Sequence, residues 1–136
     1  MRTTDIRAFV QGYMVCALWS SCGPDATEPY TCGSLDELFG PEDIAPEARR
    51  AMLSDCVDFI RSNRADLEKY AEAIRCYPSE GGPWAYAGHD FWLTRNRHGA
   101  GFWDRGLGAL GDRLSDAAKA YGGCDLWPGD DGRVYL

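Results

Sequence analysis

Apolar residues near the start of the chain recur at the three-and-four spacing of a single helical face. This pattern predicts an amphipathic helix over residues 5–19, which Gly23 and Pro24 bring to an end. The buried stripe of this helix is expected to comprise Ile6, Phe9, Val10, Tyr13, Met14, Ala17 and Leu18.

Residues 46–76 contain two further stripes of the same kind. Pro46 stands where a first helical turn tolerates proline, and the helix that follows reaches about Ser62. Asn63 is placed to cap the next helix, which ends before Pro78. The two predicted stripes are Met52, Cys56, Phe59 and Ile60, and then Leu67, Tyr70, Ala71 and Ile74.

Residues 23–45, rich in proline, glycine and acids, predict a long acidic surface loop with one helical turn at 34–39.

After a joint at 79–88 that is rich in glycine and proline, the pattern changes from helical to alternating. Two short runs, 91–94 and 101–104, are aromatic and β-favouring, and residues 96–99 between them have turn composition. We therefore predict a β-hairpin over 88–106, a helix over 107–121 and a second hairpin over 124–136. The expected fold is a single α+β domain, residues 1–136, with N-terminal amphipathic helices packed on a small antiparallel sheet. Two hairpins that flank a C-terminal helix would build this sheet.

The register of the first hairpin determines which side chains share a face. If residues 96–99 close the turn, Trp92 faces Trp103 and Asp90 faces Arg105. These four side chains would then gather on one face, while Phe91, Leu93 and Phe102 enter the core on the other.

The exposed face and turn of this hairpin form the first candidate site. Arginine and histidine donors beside a tryptophan face fit a nucleotide or another anionic ligand. The candidate residues are His89, Asp90, Trp92, Arg95, Asn96, Arg97, His98, Trp103 and Arg105. Two other interpretations stay open: the residues simply stabilise the hairpin, or His89, His98 and a carboxylate bind a metal, although their spacing is not diagnostic. No stretch matches a nucleophile elbow, a phosphate loop or a dinucleotide fingerprint, so we predict no catalytic residue, resident metal or cofactor, and an enzyme is the less favoured class.

Charge limits the partners of this chain. The net charge of -7 argues against general binding to duplex DNA or to an anionic membrane, and no segment is long and apolar enough to span a bilayer. The acids concentrate between residues 24 and 58, and a second candidate surface is Asp36, Glu37, Glu42 and Asp43. This acidic surface is expected either to be merely solvated or to imitate the charge of a nucleic acid.

The six cysteines include no CxxC pair and no spacing typical of zinc sites. We expect them to be reduced, structural residues. The apolar N-terminal run follows Asp5, is broken by Gln11 and Gly12, and has no cleavage pattern after it, so it is not expected to be a signal peptide. Together these features predict a cytoplasmic protein.

A long stretch of the chain also resembles a known family. Residues 88–96 (GHDFWLTRN) and 98–106 (HGAGFWDRG), with 111–114, 117–121, 129–132 and the early 17–21, are similar to a family of small proteins encoded in tailed-bacteriophage genomes. The chain departs from the family pattern at Arg97, where glycine is expected, and at Trp127-Pro128. The resemblance implies a phage origin and action in the host bacterium, but no mechanism.

A small acidic phage protein without a catalytic signature is expected to act by binding. The favoured function is therefore an accessory protein that binds a host protein and inhibits a host defence system, as anti-CRISPR proteins do. The alternative is a protein or enzyme that handles a nucleotide or single-stranded nucleic acid through the 88–106 hairpin.

Overall fold

The computed structural model describes residues 1–22, 33–76 and 78–136. In this described part the chain is mostly helical, with one small antiparallel sheet. The helices are α1 (Thr3–Ser20), α2 (Pro46–Ser62), α3 (Arg64–Ala73), α4 (Gly82–Arg95) and α5 (Ala109–Lys119). The strands are β1 (Trp127–Pro128) and β2 (Val134–Tyr135). Short 3-10 turns lie at Leu35–Glu37, Pro41–Asp43, Pro78–Glu80 and Phe102–Asp104.

Helices α1, α2, α3 and α5 confirm the helical periodicity of the sequence. The predicted stripe of α2 is buried throughout and that of α1 mostly so, and Leu67 and Tyr70 of α3 and Leu114 of α5 are buried as well. Each of these helices keeps a polar face toward solvent, and that contrast is what makes an amphipathic helix recognisable.

The first predicted hairpin is wrong, because residues 82–95 form α4. This helix is buried on nearly every side and lies along α1. Glycines allow the close approach of the two backbones: a Cβ on Gly88 would lie 2.0 Å from the Phe9 carbonyl oxygen, and one on Gly12 would lie 2.1 Å from that of Ala85. A helix surrounded by protein shows no polar face. Without a polar face, the aromatic residues of this segment produce a sequence pattern that is typical of a β-strand.

Aromatic rings fill the core where α1, α2 and α4 meet. Phe59 stacks on Phe91 with 4.1 Å between ring centroids, and Phe9 contacts both rings. Phe102 and Tyr121 close the cluster from the C-terminal side. Leu93 and Phe102 do become buried, as the hairpin register predicted, but they do so from a helix and a turn.

The second predicted hairpin is confirmed in outline. Strands β1 and β2 pair antiparallel, with Trp127 opposite Tyr135, and their rings stack at 5.0 Å. The amide of Ala45 donates to the carbonyl of Val134 over 2.7 Å, which fastens β2 to the start of α2. The sheet therefore has two strands, rather than the two hairpins that the sequence predicted.

The acidic loop predicted over 23–45 is described only from residue 33 onward. There the two 3-10 turns Leu35–Glu37 and Pro41–Asp43 replace the single predicted turn. Leu35 is fully buried against α1, so this part of the loop is packed on the domain.

The cysteines depart from the expectation of six free thiols. Cys16, Cys56, Cys76 and Cys124 are free, but Cys22 is disulfide-bonded. Burial raises the pKa of the Cys16 thiol to about 12, so this thiol stays protonated and inert at neutral pH. Because disulfides persist mainly in oxidising compartments, the Cys22 bond does not support the predicted cytoplasmic location.

None of the helices in the described ranges is long and apolar enough to cross a bilayer.

Candidate functional site

The predicted tryptophan pair does not exist. Trp92 lies inside α4, only 2% exposed, and its indole N–H donates to the Ser20 hydroxyl over 2.7 Å. Trp103 lies in the 3-10 turn after α4 and is 48% exposed. Helical geometry separates the two rings, so the aromatic platform proposed for a nucleotide is absent.

Asp90 and Arg105 do form the ion pair that the sequence suggested, but it is largely buried. Asp90 is fully buried, and the Arg105 guanidinium donates to it through Nε and Nη2, the shortest distance being 2.6 Å. The Tyr70 hydroxyl donates to the same carboxylate over 2.7 Å. Hydrogen bonds to Asp90 raise the pKa of Arg105 above its usual value. The charge of Arg105 is therefore neutralised inside the protein rather than offered to a ligand.

Arg95 also has a structural role. It is 5% exposed, and its Nη1 donates to the Asp55 carboxylate over 2.7 Å and to the Tyr13 hydroxyl over 2.9 Å. Its remaining nitrogens donate to the carbonyls of Tyr121 and Gly122. This side chain joins α1, α2, α4 and the end of α5, so it is not a free donor for an anion.

Asn96, Arg97 and His98 end α4 in the arrangement known as a Schellman motif. The amide of His98 donates to the Leu93 carbonyl, and the amide of Arg97 donates to that of Thr94. Arg97 has φ 56°, a left-handed conformation that favours glycine. Arg97 is therefore a conformationally costly residue at this helix end. The Asn96 side chain binds the Trp92 carbonyl and the Cys124 amide.

Both histidines nevertheless line one cavity, which we call the Trp19 groove. It has a volume of about 480 Å³. Its lining residues are Trp19, Glu80, Tyr86, His89, Leu93, His98, Gly99, Ala100 and Arg105. A second cavity of about 310 Å³ shares Trp19 and His89 with it and is also lined by Val15, Cys16 and Asp36. Trp19 stands between the two cavities with 60% of its surface exposed.

The electrostatics of the groove are set by partial burial. Burial lowers the pKa of His89, whose ring stacks on Tyr86 at 6.3 Å, so this imidazole is neutral at neutral pH. The Arg105 guanidinium covers the same tyrosine ring at 4.6 Å. Neither imidazole ring is hydrogen-bonded to another described residue.

The metal hypothesis for His89 and His98 gains no support. Within residues 1–22, 33–76 and 78–136, no group of three histidine, cysteine or acidic side chains is arranged to hold a metal ion. The two histidines share a cavity with Glu80, but the described side chains are not arranged there as a three-ligand site.

The acidic surface lies on the two 3-10 turns before α2. Asp36, Glu37 and Glu42 are exposed, and Asp43 is half-buried, accepting a hydrogen bond from the Gly40 amide over 2.9 Å. The Ser34 hydroxyl donates to Asp36. Leu38 between them is exposed. Asp36 also lines the second cavity, so the acidic surface and the Trp19 groove adjoin each other.

Sequence reasoning missed Trp19, Tyr86 and Glu80 as site residues. Trp19 carried a usable signal, because Val15 and Trp19 are four residues apart and lie off the buried stripe of α1. Two large apolar residues on a face that should be polar are typical of an interaction surface. Tyr86 and Glu80 gave no such signal, since their positions depend on the unpredicted start of α4.

Comparison of the chain with protein-family models, with curated proteins and with solved structures found no match.

Proposed function

We propose that this chain is an accessory protein that acts by binding a host protein, and that the Trp19 groove is its binding surface. The resemblance to small tailed-phage proteins supplies the biological setting that we propose, inhibition of a host defence system. The single observation that carries the choice of surface is Trp19, which is 60% exposed between two cavities.

Exposed tryptophan in a concave surface is a strong indicator of a protein interface. Tryptophan, tyrosine and arginine are the residues most enriched among interface hot spots. All three occur at this groove, as Trp19, Tyr86 and Arg105. Val15 extends the apolar area on the side of the second cavity. Large exposed apolar area costs solubility, so its retention favours a role in recognition.

The alternative function, nucleotide or single-stranded nucleic-acid binding, is less favoured because two of the arginines of residues 88–106 are already paired. Arg95 is buried against Asp55, and Arg105 is paired with Asp90. Arg97 and His98 remain exposed at the end of α4. Two polar side chains beside acidic neighbours are a weak platform for a polyanion. We therefore favour a protein partner.

The test is capture of a partner from a host lysate, prepared without reductant so that the Cys22 disulfide is kept. Wild-type protein, Trp19→Ala and the matched control Trp103→Ala are immobilised in parallel. Both tryptophans are exposed, but only Trp19 lines the groove. We expect one host protein to be captured by the wild type and by Trp103→Ala but not by Trp19→Ala. The affinity of that interaction is then measured on purified proteins.

Two results would contradict the proposal. Retention of the partner by Trp19→Ala would remove the groove as the binding surface. Loss of the partner on neutralising Asp36, Glu37, Glu42 and Asp43 together, with Trp19→Ala unaffected, would instead assign binding to the acidic surface. A thermal shift with nucleotides that disappears in the His98→Ala variant would support the alternative class.

A further inference from the structure

The chemistry of the Trp19 groove indicates what kind of side chain it accepts. The groups lining it that can carry positive charge are Arg105, His89 and the exposed His98, and the first two do not offer a charge to a ligand. Arg105 is bound by Asp90 at 2.6 Å, and His89 is kept neutral by burial. Carboxylates lie on both sides of Trp19: Asp36 lines one cavity, and Glu80 lines the other. Trp19 therefore lies between two carboxylates, in a chain whose net charge is -7.

Trp19 adds a second feature that selects for cations. Its exposed indole offers the face that binds positive charge best among aromatic side chains. A guanidinium group stacks on such a face and still donates hydrogen bonds at its edge, whereas an ammonium group is a compact, strongly hydrated charge. Asp36 lines the second cavity together with Trp19, and its exposed carboxylate, which accepts one hydrogen bond from Ser34, has further acceptor positions for those bonds.

We propose that the surface formed by the Trp19 groove and the adjoining second cavity binds an arginine side chain from a basic segment of the partner protein, stacked on Trp19 and paired with Asp36. This inference rests on the proposed function and names the chemistry of the partner. A nucleic acid would place phosphates against Asp36 and Glu80, which is unfavourable, so the observations favour a basic polypeptide.

The experiment uses a fluorescein-labelled nonaarginine peptide, with nonalysine as a comparison, titrated with the full chain and followed by fluorescence polarisation. The variants are Trp19→Ala, Trp19→Phe and Asp36→Asn. Trp103→Ala and Asp130→Asn are the matched controls, because each removes an exposed group of the same kind outside both cavities. The thermal unfolding of every variant is recorded, and an exposed position such as Trp19 is expected to leave it nearly unchanged.

We expect nonaarginine to bind more tightly than nonalysine. Trp19→Ala should weaken nonaarginine binding about tenfold, within the two- to thirtyfold range that a cation stacked on an aromatic face provides. Trp19→Phe should retain most of the affinity, Asp36→Asn should weaken it several-fold, and the two controls should bind as the wild type does.

Equal weakening by Trp19→Ala and Trp103→Ala, or none by either, would overturn the inference, since binding would then reflect net charge alone. Binding of a labelled oligothymidylate that depends on Trp19 would overturn it as well. The failures of the two proposals are distinguishable. If partner capture requires Trp19 but nonaarginine binding does not, the groove is the interface and its occupant is not arginine. If nonaarginine binding requires Trp19 but partner capture does not, the proposed function is wrong.

Discussion

Arg95 provides the sharpest test of whether the charged cluster at the end of α4 is structural. The Arg95→Met substitution keeps an apolar stem of similar length but removes all the donors. The wild-type guanidinium, 5% exposed, makes hydrogen bonds to Tyr13 and Asp55 and to two backbone carbonyls. Its loss leaves these groups without their partner.

The cost can be estimated from how well each group can be rehydrated. The side chain of Asp55 is 37% exposed, and the carbonyls of Tyr121 and Gly122 lie near the surface, so water replaces part of what they lose. The Tyr13 hydroxyl is fully buried and keeps the full penalty. Counting only the two bonds to side chains, those to Asp55 and Tyr13, at about 1.5 kcal/mol each gives a cost of about 3 kcal/mol. This value is at the lower edge of the about 3–5 kcal/mol found when a buried ion pair is broken.

The assay is urea unfolding followed by far-UV circular dichroism, with Arg97→Ala as the control. Arg97 is exposed and two residues away, so its replacement should change the free energy of unfolding by no more than about 0.5 kcal/mol. Arg95→Met should lower that free energy by about 3 kcal/mol, a large part of typical domain stability. A loss below about 1 kcal/mol would refute this reasoning, and Arg95 would again be a candidate for binding.

Three further predictions concern other parts of the fold. Gly88→Ala should destabilise the protein by about 3 kcal/mol, because its Cβ would meet the Phe9 carbonyl at 2.0 Å, whereas Gly99→Ala, with open space around it, should be nearly neutral in the same unfolding assay. Arg97→Gly should raise the free energy of unfolding by about 0.5–1 kcal/mol, since glycine removes the cost of φ 56°; a loss of stability would contradict the left-handed conformation. Burial lowers the pKa of His89 below 6.5, so the unfolded chain binds more protons than the folded one, and stability should fall as the pH drops through 6.5 toward the folded pKa. His89→Gln should flatten this dependence in unfolding measured between about pH 5 and 7; an unchanged slope would mean that other groups titrate there.

Part of the candidate site could be predicted from sequence, although for partly wrong reasons. Of the residues that the sequence indicates in 88–106, His89, His98 and Arg105 line the Trp19 groove, and Asp90 pairs with Arg105. The pairing was predicted across two strands, whereas it joins α4 to the turn that follows it. Because Asp90 lies inside a helix, this ion pair and Tyr70 stabilise the core, while the histidines face the groove.

The residue at the C-terminal end of α4 explains why this helix boundary could not be predicted from the sequence. A helix of this kind usually stops at glycine, and here Arg97 occupies the left-handed position. Without that glycine, and with residues 96–99 having turn composition, the stretch favours a hairpin turn in sequence. The Schellman hydrogen bonds of Arg97 and His98 are visible only in three dimensions.

The sequence by itself determined the elements that keep one face in water. In helices α1, α2, α3 and α5 an apolar residue that faces the core recurs every three or four positions, with polar residues between. The C-terminal hairpin carries a turn rich in glycine and aspartate. The tertiary structure alone decided the state of residues 82–95, because a segment buried on all sides has no polar face to reveal its period. It also decided which charges are neutralised within the fold. It brought Trp19, His89 and His98 to one groove, since residues at least seventy positions apart meet only when α1 packs on α4.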